Sequence, residues 1–497
     1  MKCKELEHTH VPDSYHIVTL HRGIDKELFL QELKEDGIGV VKRHVDCPDE
    51  QPRSTRNITV DIDDAERDEL LADARVMNVQ AVNYVETIRF FPTAVQNINP
   101  VLSQFNNNGH DNWALDFCTE RNGSKYTYSQ TGRGVDIVIV DSGVHGAHAE
   151  FKDDSGNSRL RKINWEPNQF TTRPMQYVDE GGHGTAVASC AAGRTQGFAR
   201  DARIYSIKIF DTDAYTPLRA LQNVRTWHEN KVGTADEGRP TVVNNSWVYS
   251  RDYPTNHPTQ SGKSHGVQVA SIDAEIESMI DAGIILVAAA GNEGHYIASK
   301  YDPRYNDYYY VDNEGQYTQY AAEARYAQYQ NRYSPSGSDT IICVGANGNH
   351  YPADKFHRAN FSNFGSRINL FAPGTSIQTA VTNTANGLAK ISGTSFSSPI
   401  TSGIVSQYLE TYPEANQGQV LSFLDRQGDR GIITGRLTST NNLSVVSIFN
   451  SIKIRANGIW KPLAYAMEKR DGRWSRTKNI SMKQNSVVHS IFGRTRN

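Results

Sequence analysis

Val135-Asp-Ile-Val-Ile-Val140 is an extended stretch, apolar except at Asp136, that runs directly into Asp141-Ser-Gly143. A strand this apolar at successive positions has both faces covered, as in a parallel sheet between helices. The same texture recurs at Ile204–Phe210, Val242–Trp247, Ile284–Ala290 and Ile341–Val344. Amphipathic segments of helical length, such as Val267–Ile280, separate these runs. The pattern predicts an α/β fold, a three-layer parallel sheet with helices on both faces. In such sheets ligands bind beyond the carboxyl ends of the strands, so the residues that follow each run are the ones to read for chemistry.

Four segments stand there. Asp141 closes the first strand, where a carboxylate can be shielded and orient a histidine; the simpler reading is a turn cap. Gly181-Gly-His183-Gly-Thr185 precedes a small-residue helix at Ala186–Ala192, which places His183 at a helix start facing the strand ends. Ser392-Gly-Thr-Ser395-Phe-Ser-Ser-Pro399 enters the predicted helix Ile400–Leu409, where the positive end of the macrodipole acts on Ser395. A serine hydroxyl is a poor nucleophile and needs a neighbouring base. Ala288-Ala-Ala290-Gly-Asn292-Glu-Gly294 follows the strand at Ile284, where the Asn292 amide can meet a developing oxyanion. Each segment alone has an ordinary structural explanation.

Their order and joint presence resemble the subtilase family, with the catalytic region most similar to the proteinase K branch. Further matching pieces are Trp113-Ala-Leu-Asp116, Gly197-Phe-Ala-Arg-Asp201, Phe361-Ser-Asn-Phe-Gly365 and Phe371-Ala-Pro-Gly-Thr-Ser376. The resemblance implies a serine endopeptidase with Ser395 as nucleophile, His183 as base and Asp141 as orienting carboxylate. It implies an oxyanion hole from Asn292 and the Ser395 N–H, with support from Thr394. It places an extended protein or peptide substrate beside Ser246, Trp247 and Val248, with Ala289, Ala290 and Gly291 on the opposite wall of the P1 pocket. No cofactor is expected for catalysis. Structural calcium is known in the family; Asp312 and Asp354 are the nearest candidates here, without a calcium-loop spacing.

At 497 residues the chain exceeds one ordinary core of about 150 residues. Residues 1–12 read as a mobile terminus. Residues 13–91 carry strand signals at Tyr15–Leu20, Gly39–Val45, Ile58–Ile62 and Val82–Phe90, with helices at Lys26–Leu33 and Ala65–Leu71. That order suggests a small ferredoxin-like α+β unit. Its Ala72-Asp-Ala-Arg-Val76 and Val82-Asn-Tyr-Val-Glu86 resemble the end of the family's inhibitory propeptide, which implies an intramolecular inhibitor removed by self-cleavage within about 91–109. Two places compete, Ala94–Gln96 and the bond after Phe105. An Asn-rich linker fills 92–112, the catalytic region 113–440, and a C-terminal extension 441–497.

The sequence departs from the family pattern in three ways. Val248 stands where glycine is usual, which predicts a narrowed P1 entrance favouring small residues. An insertion over 295–333 holds eleven of the 24 tyrosines and reads equally as a docking surface or as a satellite packing its own rings. From Lys453 onward eleven Lys/Arg face two acids although the whole chain carries −3, so an acidic partner or nucleic acid is conceivable for the tail, beside the simpler reading of a solvated end. There is no apolar run long enough to span a membrane. Five scattered cysteines and a start without an apolar signal region lead to the expectation of a cytoplasmic or particle-associated setting. The alternative function is a structural or binding component of an assembly that keeps the subtilase scaffold.

Overall fold

The computed structural model describes residues 15–35, 37–38, 54–82, 87–90, 93–96, 112–118, 130–163, 177–209, 215–252, 264–302, 305, 308–311, 317–320, 333–348, 356–382, 384–428 and 433–434, together with paired strands between 453 and 492. The expected strand Gly39–Val45, the terminal residues 1–12 with Cys3, and the calcium candidates Asp312 and Asp354 lie outside them.

The N-terminal part contains β1 (Tyr15–Leu20), α1 (Lys26–Glu35), β2 (Asn57–Asp61), α2 (Asp64–Ala72) and β3 (Val76–Ala81). The strands form an antiparallel sheet in the order β2-β1-β3. Asp63 caps α2 and exchanges bonds with Glu66 in a capping box, so Asp63 is the cap and Asp64 already helical. Val18, Leu20, Phe29, Leu33, Val60 and Leu70 share one apolar cluster between sheet and helices.

The predicted strand Val82–Phe90 is corrected. β3 ends at Ala81, and β4 (Thr87–Phe90) pairs elsewhere, antiparallel to β10 (Trp247–Asp252). β5 (Thr93–Gln96) follows and pairs with β19 (Leu388–Ser392). An apolar run fixes that a segment is extended, not which sheet takes it. A one-and-a-half-turn helix, α3 (Trp113–Phe117), opens the next region.

The central sheet has seven strands, all parallel, in the order β17-β15-β12-β9-β6-β8-β7. They are β6 (Asp136–Asp141), β7 (Leu160–Arg161), β8 (Arg203–Lys208), β9 (Thr241–Asn245), β12 (Ile285–Ala289), β15 (Ile342–Asn347) and β17 (Leu370–Pro373). Between them run α4 (His183–Ala192), α5 (Tyr215–Glu229) and α6 (Ala270–Asp281), and after them α7 (Thr394–Thr411) and α8 (Gln417–Gln427). Val138 and Val140 of β6, Val243 of β9 and Leu286 of β12 pack with Leu221 of α5 and Ile272, Ile276 and Met279 of α6. α4 and α7 pack on each other, and α7 lies along β9, β12 and β15. The three-layer expectation holds. Helix α7 begins at Thr394, six residues before the predicted start, so Ser395 lies inside its first turn and Gly393 is the cap.

Three two- or three-stranded pieces border this sheet: β10 with β11 (Ser264–Gly266), β18 (Ile377–Ala380) with β19, and β16 (Phe356–His357) with β20 (Ile433–Thr434). Within the tyrosine-rich insertion, β13 (Tyr308–Val311) and β14 (Tyr317–Tyr320) form a hairpin. All of these belong to one compact unit. The paired strands between 453 and 492 belong to a second unit. Its hairpins are β21 (Lys453–Ala456) with β22 (Ile459–Pro462), β23 (Met467–Arg470) with β24 (Arg473–Arg476), and β25 (Ile480–Gln484) with β26 (Val487–Phe492). Among the described residues no helix is long and apolar enough to cross a membrane.

Candidate active site

Asp141 is the last residue of β6 and has no exposed surface. Its Oδ1 accepts the Ser142 N–H at 2.7 Å and a bond from His183 Nδ1 at 2.8 Å. Burial raises the Asp141 carboxyl above its ordinary value, while the charge and hydrogen bond of His183 and the Ser142 N–H pull the other way. His183 is the first residue of α4, behind Gly182 at φ +76°. A Cβ on Gly184 would collide with the Gly143 carbonyl, so the bare glycine is what lets the histidine segment lie against the aspartate loop.

Ser395 reaches this place from the other side. Helix α4 packs on α7, and the His183 ring lies 5.9 Å, centroid to centroid, from Phe396, the next residue after Ser395. Ser395 Oγ donates to the Ser246 carbonyl at 3.3 Å, and Ser246 Oγ donates back to the Ser395 carbonyl at 2.9 Å. The second bond has a covalent origin. Pro399, four residues on, has no N–H for the Ser395 carbonyl, so the helix frees an acceptor that Ser246 takes up. Thus the proline four residues after Ser395 fixes the junction between β9 and β10 to that serine.

Asn292 follows β12. Its Oδ1 accepts the Thr394 N–H at 2.9 Å and Thr394 Oγ1 at 2.8 Å, which turns the NH₂ end away from these donors. Thr394 Oγ1 also accepts the Gly291 N–H at 3.2 Å. Thr394 therefore ties the asparagine loop to the first turn of α7. Trp247, Val248, Ala289 and Ala290 are fully buried around this junction. Gly291 has φ +97°, and a side chain there would strike Asn363 and Glu293. β6, β9 and β12 are parallel neighbours, so Asp141, Ser246 and the loop from Ala289 to Asn292 lie at the carboxyl ends of adjacent strands; His183 is bonded to Asp141, and Ser395 to Ser246.

Two groups of residues near the site were not singled out from the sequence. Glu293, the residue after Asn292, accepts from Tyr333 Oη and Asn363 Nδ2, each at 2.8 Å, and burial raises its carboxyl. Tyr333 lies in one apolar cluster with Val248 and Ala290. The other is Asp179, beneath the start of α4. A glutamate between Gly291-Asn292 and Gly294, and an aspartate at the head of Asp179-Glu-Gly-Gly182, sit in ordinary turn-forming sequence, so neither carried a distinguishing signal. Among the described residues no group of three or more His, Cys, Asp and Glu side chains could hold a metal ion.

The sequence profile described as the Subtilase family matches residues 132–433. An extracellular serine proteinase of a Thermus species is 27% identical over 372 residues, covering 74% of this chain and 70% of that protein. A cuticle-degrading serine protease of Arthrobotrys oligospora is 23% identical and covers 74% and 73%. Subtilisin-like protease 8 of Arthroderma benhamiae is 27% identical over 298 residues, and the chain spans about half its length, 49%. Among solved structures, a cold-adapted subtilisin-like serine proteinase matches at 23% identity with a TM-score of 0.48, over 68% of this chain and 98% of that one.

The expected cytoplasmic or particle-associated setting is corrected by these relatives, since the Thermus protein is named extracellular. The cysteines misled for a physical reason. Cys118, Cys190 and Cys343 are buried free thiols that fill space as small apolar groups, and such packing carries no information about redox compartment.

Proposed function

The chain belongs to the subtilase family, and from that premise we propose that it is a serine endopeptidase acting through Ser395, His183 and Asp141. The observation that carries the reading is the buried 2.8 Å bond between His183 and Asp141 at the sheet edge that also receives Ser395, Ser246 and Asn292. In this mechanism Ser395 Oγ attacks the substrate carbonyl carbon as its proton passes to His183 Nε2. Asp141 holds the imidazole in the tautomer that accepts there and steadies the imidazolium. The Asn292 amide and the Ser395 N–H donate to the oxyanion, where one such donor is worth about 3–4 kcal/mol. The proton then passes to the leaving nitrogen, and water resolves the acyl-enzyme by the same steps. Nothing in this chemistry requires a cofactor.

We further propose that the N-terminal part restrains the enzyme by occupying its cleft. β4 extends the edge that begins at Trp247, and its register sets Phe90 opposite Trp247 and Arg89 opposite Val248. β5 pairs with β19 up to Ser392, three residues before Ser395. Added strands of this kind are how extended peptides bind a sheet edge. The sequence between the two strands is Phe91-Pro92, outside the described residues, and a cut between these two residues would fall at a prolyl amide. Its ring nitrogen carries carbon in place of hydrogen and hinders the leaving-group step. Processing is therefore expected in β5, at Ala94–Gln96, or beyond it, at Phe105.

A fluorophosphonate probe and intact-mass measurement test both statements on the full chain. Wild type should be labelled and shortened within 91–109, and Ser395→Ala should be neither. A wild-type chain that resists the probe after its N-terminal part is removed would leave the non-enzymatic assembly role as the better reading.

A further inference from the structure

We infer that Asp179 is a positioning residue for the catalytic pair, tying the histidine segment to the aspartate segment from beneath. The inference rests on the triad reading above. Asp179 lies four residues before His183 and is 6% exposed. Its Oδ1 accepts Ser142 Oγ and the Gly182 N–H, both at 2.8 Å. Its Oδ2 accepts the Thr185 N–H at 2.8 Å and Thr185 Oγ1 at 2.6 Å. These four donors come from the two segments that must meet. Ser142 follows Asp141 in the loop leaving β6, while Gly182 and Thr185 flank His183.

The arrangement closes on itself. Ser142 Oγ, while donating to Asp179, accepts the Gly184 N–H at 2.9 Å. Thr185 Oγ1 accepts the His145 N–H at 2.8 Å, drawing in the loop beyond Gly143. The bond between His183 and Asp141 is thus bracketed by a single buried carboxylate. Local structure explains why one is needed. The cap of α4 is Gly182, which has no side chain, so the orphan N–H groups of the first turn lack the usual acceptor. Asp179 supplies it from outside the helix, where an anion is also favoured by the dipole.

Two consequences reach the chemistry. The first is geometric: an imidazole must stay within a fraction of an ångström of its place to accept the serine proton. Without Asp179, glycines on either side leave His183 free to drift. The second is electrostatic. Asp179 places a fixed negative charge close enough to act on Asp141, and negative charge beneath the pair favours the imidazolium formed as Ser395 attacks.

Rate profiles against pH for Asp179→Ala, Asp179→Asn and Thr185→Val, each made as the full chain and assayed on a peptide substrate once the N-terminal part has been removed, test the inference. Asp179→Ala should lower kcat about tenfold with KM within about twofold, the mark of a displaced group that does not touch substrate. Asp179→Asn should recover most of kcat, because its Oδ1 still accepts from Ser142 and Gly182. Both should move the acid limb of kcat/KM to lower pH, since the imidazolium loses a favourable charge. Thr185→Val removes a donor and keeps the charge, and should leave that limb in place. A purely structural cap predicts otherwise: a lowered Tm in all three, with kcat and acid limb as in wild type, and that result would overturn the inference. If wild type takes the fluorophosphonate probe and yet no limb moves, only the role of Asp179 falls. If wild type does not take the probe, the triad reading falls and this inference with it.

Discussion

Val248 has no exposed surface and shares an apolar cluster with Ala290 and Tyr333, while the Tyr333 hydroxyl is fixed on Glu293. Under the proposed function, these side chains line the space a P1 residue would enter. Val248 is the one that departs from the glycine usual in the family, and its γ-methyls narrow the opening. We expect Val248→Gly to raise kcat/KM for peptides with Phe or Leu at P1 by about 10- to 100-fold over wild type, the range that a few methyl groups command in an apolar pocket. Losing this buried side chain and placing glycine in a strand should lower stability by about 2–4 kcal/mol at the same time. A P1 library in which the wild-type enzyme already turns over large aromatics as fast as alanine would defeat the idea. At this scale the sequence carried most information where glycines crowd a polar residue: a Cβ on Gly143, Gly184 or Gly291, beside Asp141, His183 and Asn292, would strike neighbouring atoms. Asp179 and the buried Arg225–Glu275 pair were not legible, because their roles come from partners 37 and 50 residues away.

The elements divide by what stabilises them. β6, β8, β9, β12 and β15 are covered on both faces, so their apolar runs announced them, and α6 showed its amphipathic stripe. β10, β18 and β19 are short antiparallel pieces that exist because a partner strand lies beside them, and no local pattern marks such strands. Helix α6 also carries a titratable group whose cost is set by the fold. Asp273 accepts from Ser334 Oγ at 2.7 Å and Gln268 Nε2 at 2.6 Å, and burial pushes its carboxyl up to about 7, against 3.8 in an open chain. Between those values the folded protein holds a proton that the unfolded chain has released. Its contribution is therefore full below about pH 3.8 and is lost progressively as pH rises to about 7. The loss is on the order of 4 kcal/mol at most. Asp273→Asn, compared with Asp273 in a Ser395→Ala background to stop self-digestion, should gain stability relative to its parent as pH rises from 4 to about 7.5. Urea midpoints that differ by the same amount at every pH would show that Asp273 does not carry this linkage.

At the scale of the whole molecule, changes in texture along the chain suggest an N-terminal part and a parallel-sheet body, which belong to one compact unit. The docking of the first on the second was not legible in that texture, since it is written in side chains far apart in sequence. Ile17 and Val82 join the apolar cluster that α5 and α6 form with the sheet. Along α6 a polar seam completes the contact. Asn57 Nδ2 donates to the Ser271 carbonyl at 3.0 Å, the Thr55 and Ser278 hydroxyls meet at 2.6 Å, and Arg56 pairs with Glu277 at 2.6 Å. Arg56 is nearly buried there and also holds the Leu20 carbonyl at 2.9 Å, whereas the Arg22–Asp281 pair at 2.7 Å is largely exposed. If the N-terminal unit restrains the cleft through β4 and β5, its docking strength sets how often the cleft is free. Breaking a largely buried pair costs about 1–3 kcal/mol once partial solvent access is allowed for, and an exposed pair contributes about 0–1. Arg56→Ala should therefore raise the basal hydrolysis of a fluorogenic peptide by the unprocessed full chain about 5- to 100-fold, while Arg22→Ala leaves it near wild type. The comparison is made on chains confirmed intact by mass before and after the assay. An unprocessed wild-type chain as fast as the processed enzyme, with Arg56→Ala no faster, would mean that docking stabilises the body without closing its cleft.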